Sequence, residues 1–159
     1  MALIKIDRAT PETVLNAAKR ISNLDKIDLG MLSFEENIED ICLSLLDMCD
    51  TSGYCWVFSY NGQPEAFYGV CETLPGIWSV FGFGTKNFYK IKYTVTKFIK
   101  KRVIPIVVAK NARKAVALVR GDGNKWLQFL GAKIEVVLKG WGKDGSNYTM
   151  LTWDVKNYE

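Results

Sequence analysis

A turn that contains two glycines and is followed by lysines is the first stretch of the sequence whose residue types could perform chemistry. Its residues are FGFGTKN at positions 81–87, between a predicted strand and a predicted helix. Backbone amides at the start of a helix bind phosphate groups, because their N–H groups point at the anion and the helix dipole favours negative charge. Lys86 and Lys90 add positive charge just inside that helix. The turn therefore predicts a phosphate-binding site.

The residue types that usually carry acid–base, nucleophilic or metal chemistry are sparse. The sequence has no histidine, which removes the usual general base and the usual Ser or Cys triads. Its cysteines have no CxxC spacing, whereas a zinc site needs closely spaced ligands. We therefore predict four reduced thiols in the core and no metal site. These cysteines are Cys42, Cys49, Cys55 and Cys71.

Length and composition indicate an ordinary globular chain. With 159 residues, of which 48% are hydrophobic and 24% charged, we predict one domain that covers residues 1–159. No apolar run approaches the ~20 residues that a membrane-spanning helix needs. The N-terminus lacks the basic-then-apolar layout of a signal peptide, so we expect a cytoplasmic protein.

Charge is distributed unevenly along the chain. Residues 1–72 contain twelve acidic and five basic residues, whereas residues 73–121 contain eleven basic residues and no acidic one. Such a block produces a positive field on one side of a protein and favours a polyanionic ligand or surface. A solvated helix face close to acidic neighbours explains the same pattern, and both interpretations stay open at this point.

The elements that must position the turn begin with two predicted helices. A short strand at residues 3–6 precedes a helix that Thr10 caps, with Pro11 at its first position and an apolar period that extends to Leu24. Ser33 and Glu36 have the spacing of a capping box, which predicts the start of a second helix. The predicted apolar face of that helix consists of Phe34, Ile38, Ile41, Cys42, Leu45 and Cys49.

Three strands follow, and the third of them leads into the turn. They are predicted at residues 54–60, 63–71 and 77–83. Asn61-Gly62 tolerates positive φ at both central positions of a type I′ hairpin turn, and Pro75-Gly76 marks the next turn. The pattern predicts a meander that feeds the glycine-containing turn.

The helix after the turn is the strongest of the chain. Its apolar period predicts a helix over residues 87–102, which Pro105 ends or interrupts. Residues 104–109 and 115–119 are both apolar, and either is a candidate for the next buried strand. We favour 115–119, because a turn and a short helix follow it directly.

The last elements complete a mixed sheet. A short helix is predicted at residues 124–130, with Gly131 as its C-terminal glycine. Strands are predicted at 133–139 and 147–155. The resulting order is β-α-α-β-β-β-α-β-α-β-β, which predicts an α/β fold with a mixed sheet and helices on both faces.

This order resembles the fold of the GNAT acetyltransferases, in which two helices separate the first two strands. The stretch NKWLQFLGA at residues 124–132 is similar to the short GNAT helix that closes with an apolar-Gly-apolar step. Together with the later Lys-Asp-Gly hairpin and the final aromatic strand, it resembles a phage branch of the superfamily, the internal virion protein A type of short-tailed phages. GQPEAFYGV at 62–70 and Trp78 followed by Gly84-Thr85 also resemble that branch. The resemblance covers residues 54–153.

The resemblance implies acetyl-CoA as the cofactor. The positions that it assigns to the cofactor phosphates are Gly84, Thr85, Lys86 and Asn87, with Lys90 and Arg120 as charge partners. GNAT enzymes carry an Arg/Gln-x-x-Gly-x-Gly/Ala loop there, and this turn lacks the leading Arg or Gln.

The catalytic groups of the family are also replaced. Leu127 stands where these enzymes often have the tyrosine that protonates the thiolate, and Arg120 aligns with the asparagine that opens the enzyme motif. The candidate bases for an amine nucleophile are Glu65 and Glu72, both of which we expect to be solvated surface carboxylates. We therefore assign no catalytic residue.

Three functional hypotheses follow. The first is a phage-encoded GNAT-fold protein with degenerate catalysis, which acts in virion assembly or structure or in host interaction. Its partner would be a virion or host protein, and its location the host cytoplasm or the virion. The second is an acetyl-CoA-dependent N-acetyltransferase of unknown amine acceptor. The third is a nucleic-acid-binding module, which we do not favour because Phe88 and Phe98 lie on the apolar stripe of their helix.

Overall fold

A computed structural model describes residues 2–155 of the chain. Its residues form two compact units, which we describe separately. Unit 1 comprises the described residues up to Cys71 together with Phe81–Val95, and unit 2 comprises Glu72–Val80 together with the described residues from Thr96 onwards. The prediction of one domain over residues 1–159 stays a prediction, and its ends at residues 1 and 156–159 lie outside the described residues.

The strands between residues 2 and 155 form a seven-stranded mixed sheet in the order β1-β2-β3-β4-β5-β7-β6. This confirms the predicted α/β fold with a mixed sheet. The strands are β1 Ile4–Arg8, β2 Gly53–Tyr60, β3 Gln63–Leu74, β4 Ile77–Gly84, β5 Lys114–Arg120, β6 Lys133–Leu138 and β7 Tyr148–Asp154.

The described residues contain six α-helices, of which the third is the longest. They are α1 Pro11–Ala18, α2 Asn23–Met31, α3 Ile38–Ser52, α4 Lys92–Phe98, α5 Ile104–Ala109 and α6 Lys125–Phe129, with a 3₁₀ turn at Phe88–Lys90 and a π-helical turn at Ile99–Val103. None of the helices between residues 2 and 155 has the length and apolarity that crossing a membrane requires.

The turns and the parallel strand pair agree with the sequence pattern. Asn61 and Gly62 both have positive φ, 49° and 83°, as a type I′ turn requires. The segment Ile77–Ser79 of β4 pairs with β5 in parallel, which is the usual outcome of a strand–helix–strand connection. The strand is therefore β5, and residues 104–109 belong to α5 instead.

The predicted capping box at Ser33 is wrong. The helix begins at Ile38, where the side chain of Asn37 accepts hydrogen bonds from the amides of Glu39 and Asp40. Asn37 thus satisfies two N-terminal donors at once, and Phe34 is left fully exposed in the preceding loop. The first helix is shorter than predicted, because it ends at Ala18, and an additional helix, α2, begins at Asn23, so that Leu24 is exposed on α2.

The helix predicted over residues 87–102 is also wrong in its bounds. The chain first forms the 3₁₀ turn and then remains helical through α4, the π-helical turn and α5 as far as Ala109. Of the two predicted effects of Pro105, it interrupts the α-helix but does not end it: the proline lies in the first turn of α5, directly after the π-helical turn. A wider turn at that point accommodates a residue without an N–H group.

Each unit has its own hydrophobic core. In unit 1, α1 and α3 pack side chains such as Val14, Cys42 and Leu46 against Val57 and Phe67 of the sheet. In unit 2, α6 contributes Leu127 and Leu130, which pack with Ala117, Leu151 and Trp153 of the sheet. Burial of these apolar surfaces is the main stabilising contribution in both units.

Candidate cofactor site

The end of β4 places the candidate turn in unit 1, where the backbone of Gly84 is engaged on both sides. Its amide donates a hydrogen bond of 2.7 Å to Oδ2 of Asp25. Its carbonyl oxygen accepts one of 3.0 Å from the amide of Ser22, the N-cap of α2. The start of α2 therefore occupies the polar groups with which Gly84 would contact a ligand.

Thr85, the next residue, is bound into a buried polar cluster. Its amide donates to the carbonyl oxygen of Glu65 (3.0 Å), and its hydroxyl donates to Oε2 of the same residue (2.8 Å). Glu65 is 2% exposed and forms an ion pair with Arg20, whose guanidinium also donates to the carbonyl oxygen of Pro64 and to Asn16. The expectation that Glu65 is a surface carboxylate is wrong, since its partners are supplied by distant parts of the sequence.

The following amides close the turn onto itself. The amide of Asn87 donates to the hydroxyl of Thr85 (3.2 Å), and that of Phe88 donates to its carbonyl oxygen (3.0 Å). The amides of Lys90 and Ile91 donate to the carbonyl oxygens of Asn87 and Phe88, respectively. The backbone of this turn consequently does not fit a pyrophosphate cradle, which needs amides that point at the anion.

The glycines of the turn serve close packing. A Cβ atom on Gly84 would lie 2.8 Å from the Cβ of Phe88, which is closer than side chains approach. A Cβ atom on Gly82 would collide with the ring of Tyr68 and with the carbonyl oxygen of Phe67. Both positions therefore require glycine because neighbouring side chains and backbone fill the space.

The lysine side chains of the turn still fit an anion by their charge. Lys86 is exposed, and the ammonium of Lys90 lies 5.2 Å from the ring centroid of Tyr60 and 5.9 Å from that of Tyr89. These distances are within the range of cation–π interactions, which leave the ammonium able to contact a further ligand. Contacts to a phosphorylated cofactor at this turn would thus come from side chains.

Arg120 belongs to unit 2 and has partners of its own. Its Nη2 donates to Oδ2 of Asp144 (3.0 Å) and its Nε donates to the hydroxyl of Ser146 (3.3 Å). Hydrogen bonds from Ser146 lower the pKa of Asp144 to about 2, and Arg120 adds to this effect. The five candidate residues from Gly84 to Lys90 lie together in unit 1, whereas Arg120 is part of this separate ion pair.

Leu127 and Glu72 are the two remaining positions that we considered for catalysis from the sequence. Leu127 is 9% exposed and belongs to the core of unit 2, which places no titratable group at this position. Glu72 is exposed, as expected, and its carboxylate accepts a hydrogen bond from the amide of Gly76. Neither provides a proton donor or acceptor directed at a substrate.

Asp25 is a candidate functional residue that sequence reasoning missed. Burial raises the pKa of its carboxyl group, and the hydrogen bonds from Gly84 and Ser22 offset this only in part. The pKa of Tyr68 is raised by burial and by the charge of Asp25. The available signal was a Ser22-x-x-Asp25 pattern, which is typical of a helix start and would have indicated α2.

The cysteines and the acidic side chains are the main candidates for thiol or metal chemistry in this chain, which has no histidine. Within residues 2–155, no group of three or more His, Cys, Asp or Glu side chains could hold a metal ion. All four cysteines are free and buried, which confirms the prediction of reduced core thiols. Burial raises the pKa of Cys42 to about 12, so its thiol is uncharged at neutral pH.

The sequence matches no protein-family model and no curated protein. The fold, however, is similar to that of known structures. An N-acetyltransferase from Staphylococcus aureus Mu50 has a TM-score of 0.74 and 14% identity, over 96% of this chain and 99% of that one. The chain has the fold of the GNAT acetyltransferases.

Two further structures support this statement. A proposed acetyltransferase of the GNAT family from Desulfovibrio desulfuricans has a TM-score of 0.65 and 12% identity, over 98% of this chain and 99% of that one. A proposed acetyltransferase from Salmonella typhimurium, determined with its cofactor acetyl-CoA, has a TM-score of 0.67 and 9% identity, over 96% and 94%. At these identities the likeness concerns the GNAT fold alone, and the resemblance to the phage branch stays a hypothesis.

Proposed function

We propose that this chain is a GNAT-fold protein with degenerate catalysis, which acts by binding rather than by acetyl transfer. The observation that carries the proposal is the turn after β4. The amides of Gly84, Thr85 and Asn87 donate to acceptors inside unit 1 and do not form a phosphate cradle. A general acid or base is typically worth about 10²–10⁴ in rate. Leu127 stands in place of one of these groups, and the ion pair with Arg20 occupies Glu65.

Acetyl-CoA is the cofactor that we propose for this fold, and its presence in the Salmonella typhimurium structure supports the proposal. When bound, it would supply an activated acyl group. The chain would contribute positive charge from Lys86 and Lys90, which are exposed beside the turn. The residues that we propose to lie next to it are Gly84, Thr85, Lys86, Asn87 and Lys90, all of which belong to unit 1.

A calorimetric titration with acetyl-CoA tests cofactor binding. We expect weak binding that is lost in the double variant Lys86→Glu and Lys90→Glu, because two favourable charges become repulsive. The matched control is Lys5→Glu with Lys26→Glu, which changes the net charge equally at exposed positions of unit 1. Equal weakening in both double variants would show that net charge, rather than this site, determines binding.

Labelled acetyl-CoA tests the absence of catalysis. Polyamines, aminoglycosides and peptide amines cover the common classes of amine acceptor. We expect no turnover above the uncatalysed rate, since Leu127 cannot transfer a proton and Glu65 is paired with Arg20. Turnover that disappears when Gly84 is replaced by a bulky residue would contradict the proposal.

The alternative function is an active N-acetyltransferase of unknown acceptor, and Asp25 is the observation that favours it. A carboxylate with a raised pKa at the end of β4 is suited to accept a proton from an amine. In that case Asp25→Asn should abolish turnover, whereas Glu72→Gln, an exposed carboxylate, should leave it unchanged. Retained turnover in Asp25→Asn would exclude Asp25 as the base.

The biological setting is proposed from the sequence resemblance alone. We propose a role in phage virion assembly or structure, or in host interaction, with a virion or host protein as the partner. The protein would then be found in the host cytoplasm or in the virion. Mass spectrometry of purified particles of the encoding phage should detect the chain if it is a virion component. Its absence from particles would leave only the host-directed role.

A further inference from the structure

Unit 2 contains a stretch of exposed basic side chains along one helical segment, from α4 through the π-helical turn to the residue after α5. We call it the basic stretch. Its members are Lys97, Lys100, Lys101, Arg102 and Lys110, all of which are exposed. Between them, Val103 and Val107 are buried and attach the segment to the protein. The cations thus lie on a fixed helical scaffold.

The charge of the basic stretch is not neutralised by its own unit. The described residues of unit 2 contain twelve basic and five acidic residues. Three of these acids, Glu135, Asp144 and Asp154, form ion pairs with Lys114 or Arg120 of β5. Among the described residues, no member of the basic stretch forms an ion pair. The segment therefore carries a positive field that a polyanion would neutralise.

An exposed aromatic ring lies beside these cations. The ammonium of Lys100 is 4.3 Å from the ring centroid of Phe129, and this phenylalanine is 68% exposed. Phe129 belongs to α6. Trp126 of that helix donates a hydrogen bond of 2.8 Å to Thr96 of α4, which holds α6 next to the basic stretch. A cation and an exposed ring at one place can contact a phosphate and an adjacent base together.

We propose that the basic stretch and Phe129 bind single-stranded nucleic acid. The cations would contact the phosphate backbone, and the exposed ring would stack on a base. This site shares no residue with the proposed cofactor site and does not depend on it. It also uses neither Phe88 nor Phe98, whose place on the apolar stripe spoke against nucleic acid in the sequence.

Fluorescence anisotropy with a labelled oligothymidylate tests the proposal. The logarithm of the affinity should fall linearly with the logarithm of the salt concentration, with a slope of about −0.7 for each phosphate contacted. The double variant Lys100→Glu and Lys101→Glu should weaken binding by roughly tenfold or more and reduce the slope. Circular dichroism melts should show that the variant, altered at exposed positions, remains folded.

Matched variants and competitors make the outcome decisive. The control Lys5→Glu with Lys26→Glu has the same net charge, so an equal loss of affinity would overturn the proposal. Phe129→Ala should weaken binding several-fold without a change in the salt slope, and no effect would overturn the assignment to nucleic acid. Binding of inorganic polyphosphate as tight as that of the oligonucleotide would also overturn the assignment to nucleic acid. Displacement of the oligonucleotide by equimolar acetyl-CoA would overturn the independence of this site from the cofactor site.

Discussion

The two units use charged residues in opposite ways. The described residues of unit 1 include eleven acidic and eight basic residues, and this unit buries the carboxylate of Glu65 against Arg20. Unit 2 has five acidic and twelve basic residues, and its ion pairs at Lys114 and Arg120 are all partly exposed. Charge fixes the turn after β4 in unit 1, whereas in unit 2 it produces an external field. A lysine or arginine count alone does not distinguish these two uses.

The largest difference between the units should be the cost of breaking an ion pair. Glu65→Ala should lower the free energy of unfolding by about 3–5 kcal/mol, because the partly buried guanidinium of Arg20 loses its ion-pair partner and the buried hydroxyl of Thr85 loses its acceptor. Glu135→Ala breaks a half-exposed pair with Lys114 and should cost less than about 1 kcal/mol. Urea unfolding of both variants measures the contrast. Similar losses of free energy in the two variants would mean that the Arg20–Glu65 pair stabilises the protein no more than a half-exposed pair does.

A second contrast concerns the role of Gly84. Gly84→Ala should destabilise the protein by about 1–3 kcal/mol, because the added methyl group overlaps Phe88. The double variant with Phe88→Ala should lose less than the sum of the two single changes, since the overlap is then removed. Thermal melts of the three variants give the coupling. Additive losses would show that Gly84 is required for something other than packing.

Much of the fold is predictable from local patterns, because local chemistry determines it. Asn61-Gly62 allows one kind of hairpin turn, and Thr10-Pro11 marks a helix start. The strand β5 follows from its apolar run and from the turn behind it. These features depend on neighbouring residues in the sequence, and the structure confirms them.

The candidate site was less predictable, because its contacts connect distant residues. Arg20 precedes Glu65 by 45 residues, and Asp25 precedes Gly84 by 59. Nothing near Glu65 in the sequence indicates that its carboxylate is buried. Because α2 was not predicted, Asp25 was not recognised as a candidate. A glycine pattern therefore predicted a phosphate cradle where the structure has internal hydrogen bonds. The excess of basic residues at positions 73–121 is visible in the sequence. The sequence does not show, however, which of them form ion pairs and which are exposed without an acidic partner.

The smallest expected effect is the pH dependence that Asp25 confers on unit 1. Its folded pKa is raised above the ordinary value of 3.8, so the folded state binds the proton more tightly than the unfolded chain. Stability from this group is therefore fully present below that ordinary value and decreases as the pH rises through the folded pKa. Above it, the buried carboxylate is charged and its desolvation opposes folding.

Asp25→Asn tests this assignment, because the amide oxygen can still accept the hydrogen bond from Gly84 while the charge is absent. Relative to the wild type, the variant should be less sensitive to pH above the ordinary carboxyl pKa and should gain stability as the pH approaches neutrality. Urea unfolding at a series of pH values measures the difference, and Asp144→Asn is the contrasting variant. The pKa of Asp144 is lowered to about 2, so its contribution is present at neutral pH and is lost as the pH falls towards that value. Two variants with pH dependences of the same sign would contradict the view that unit 1 buries charge where unit 2 exposes it.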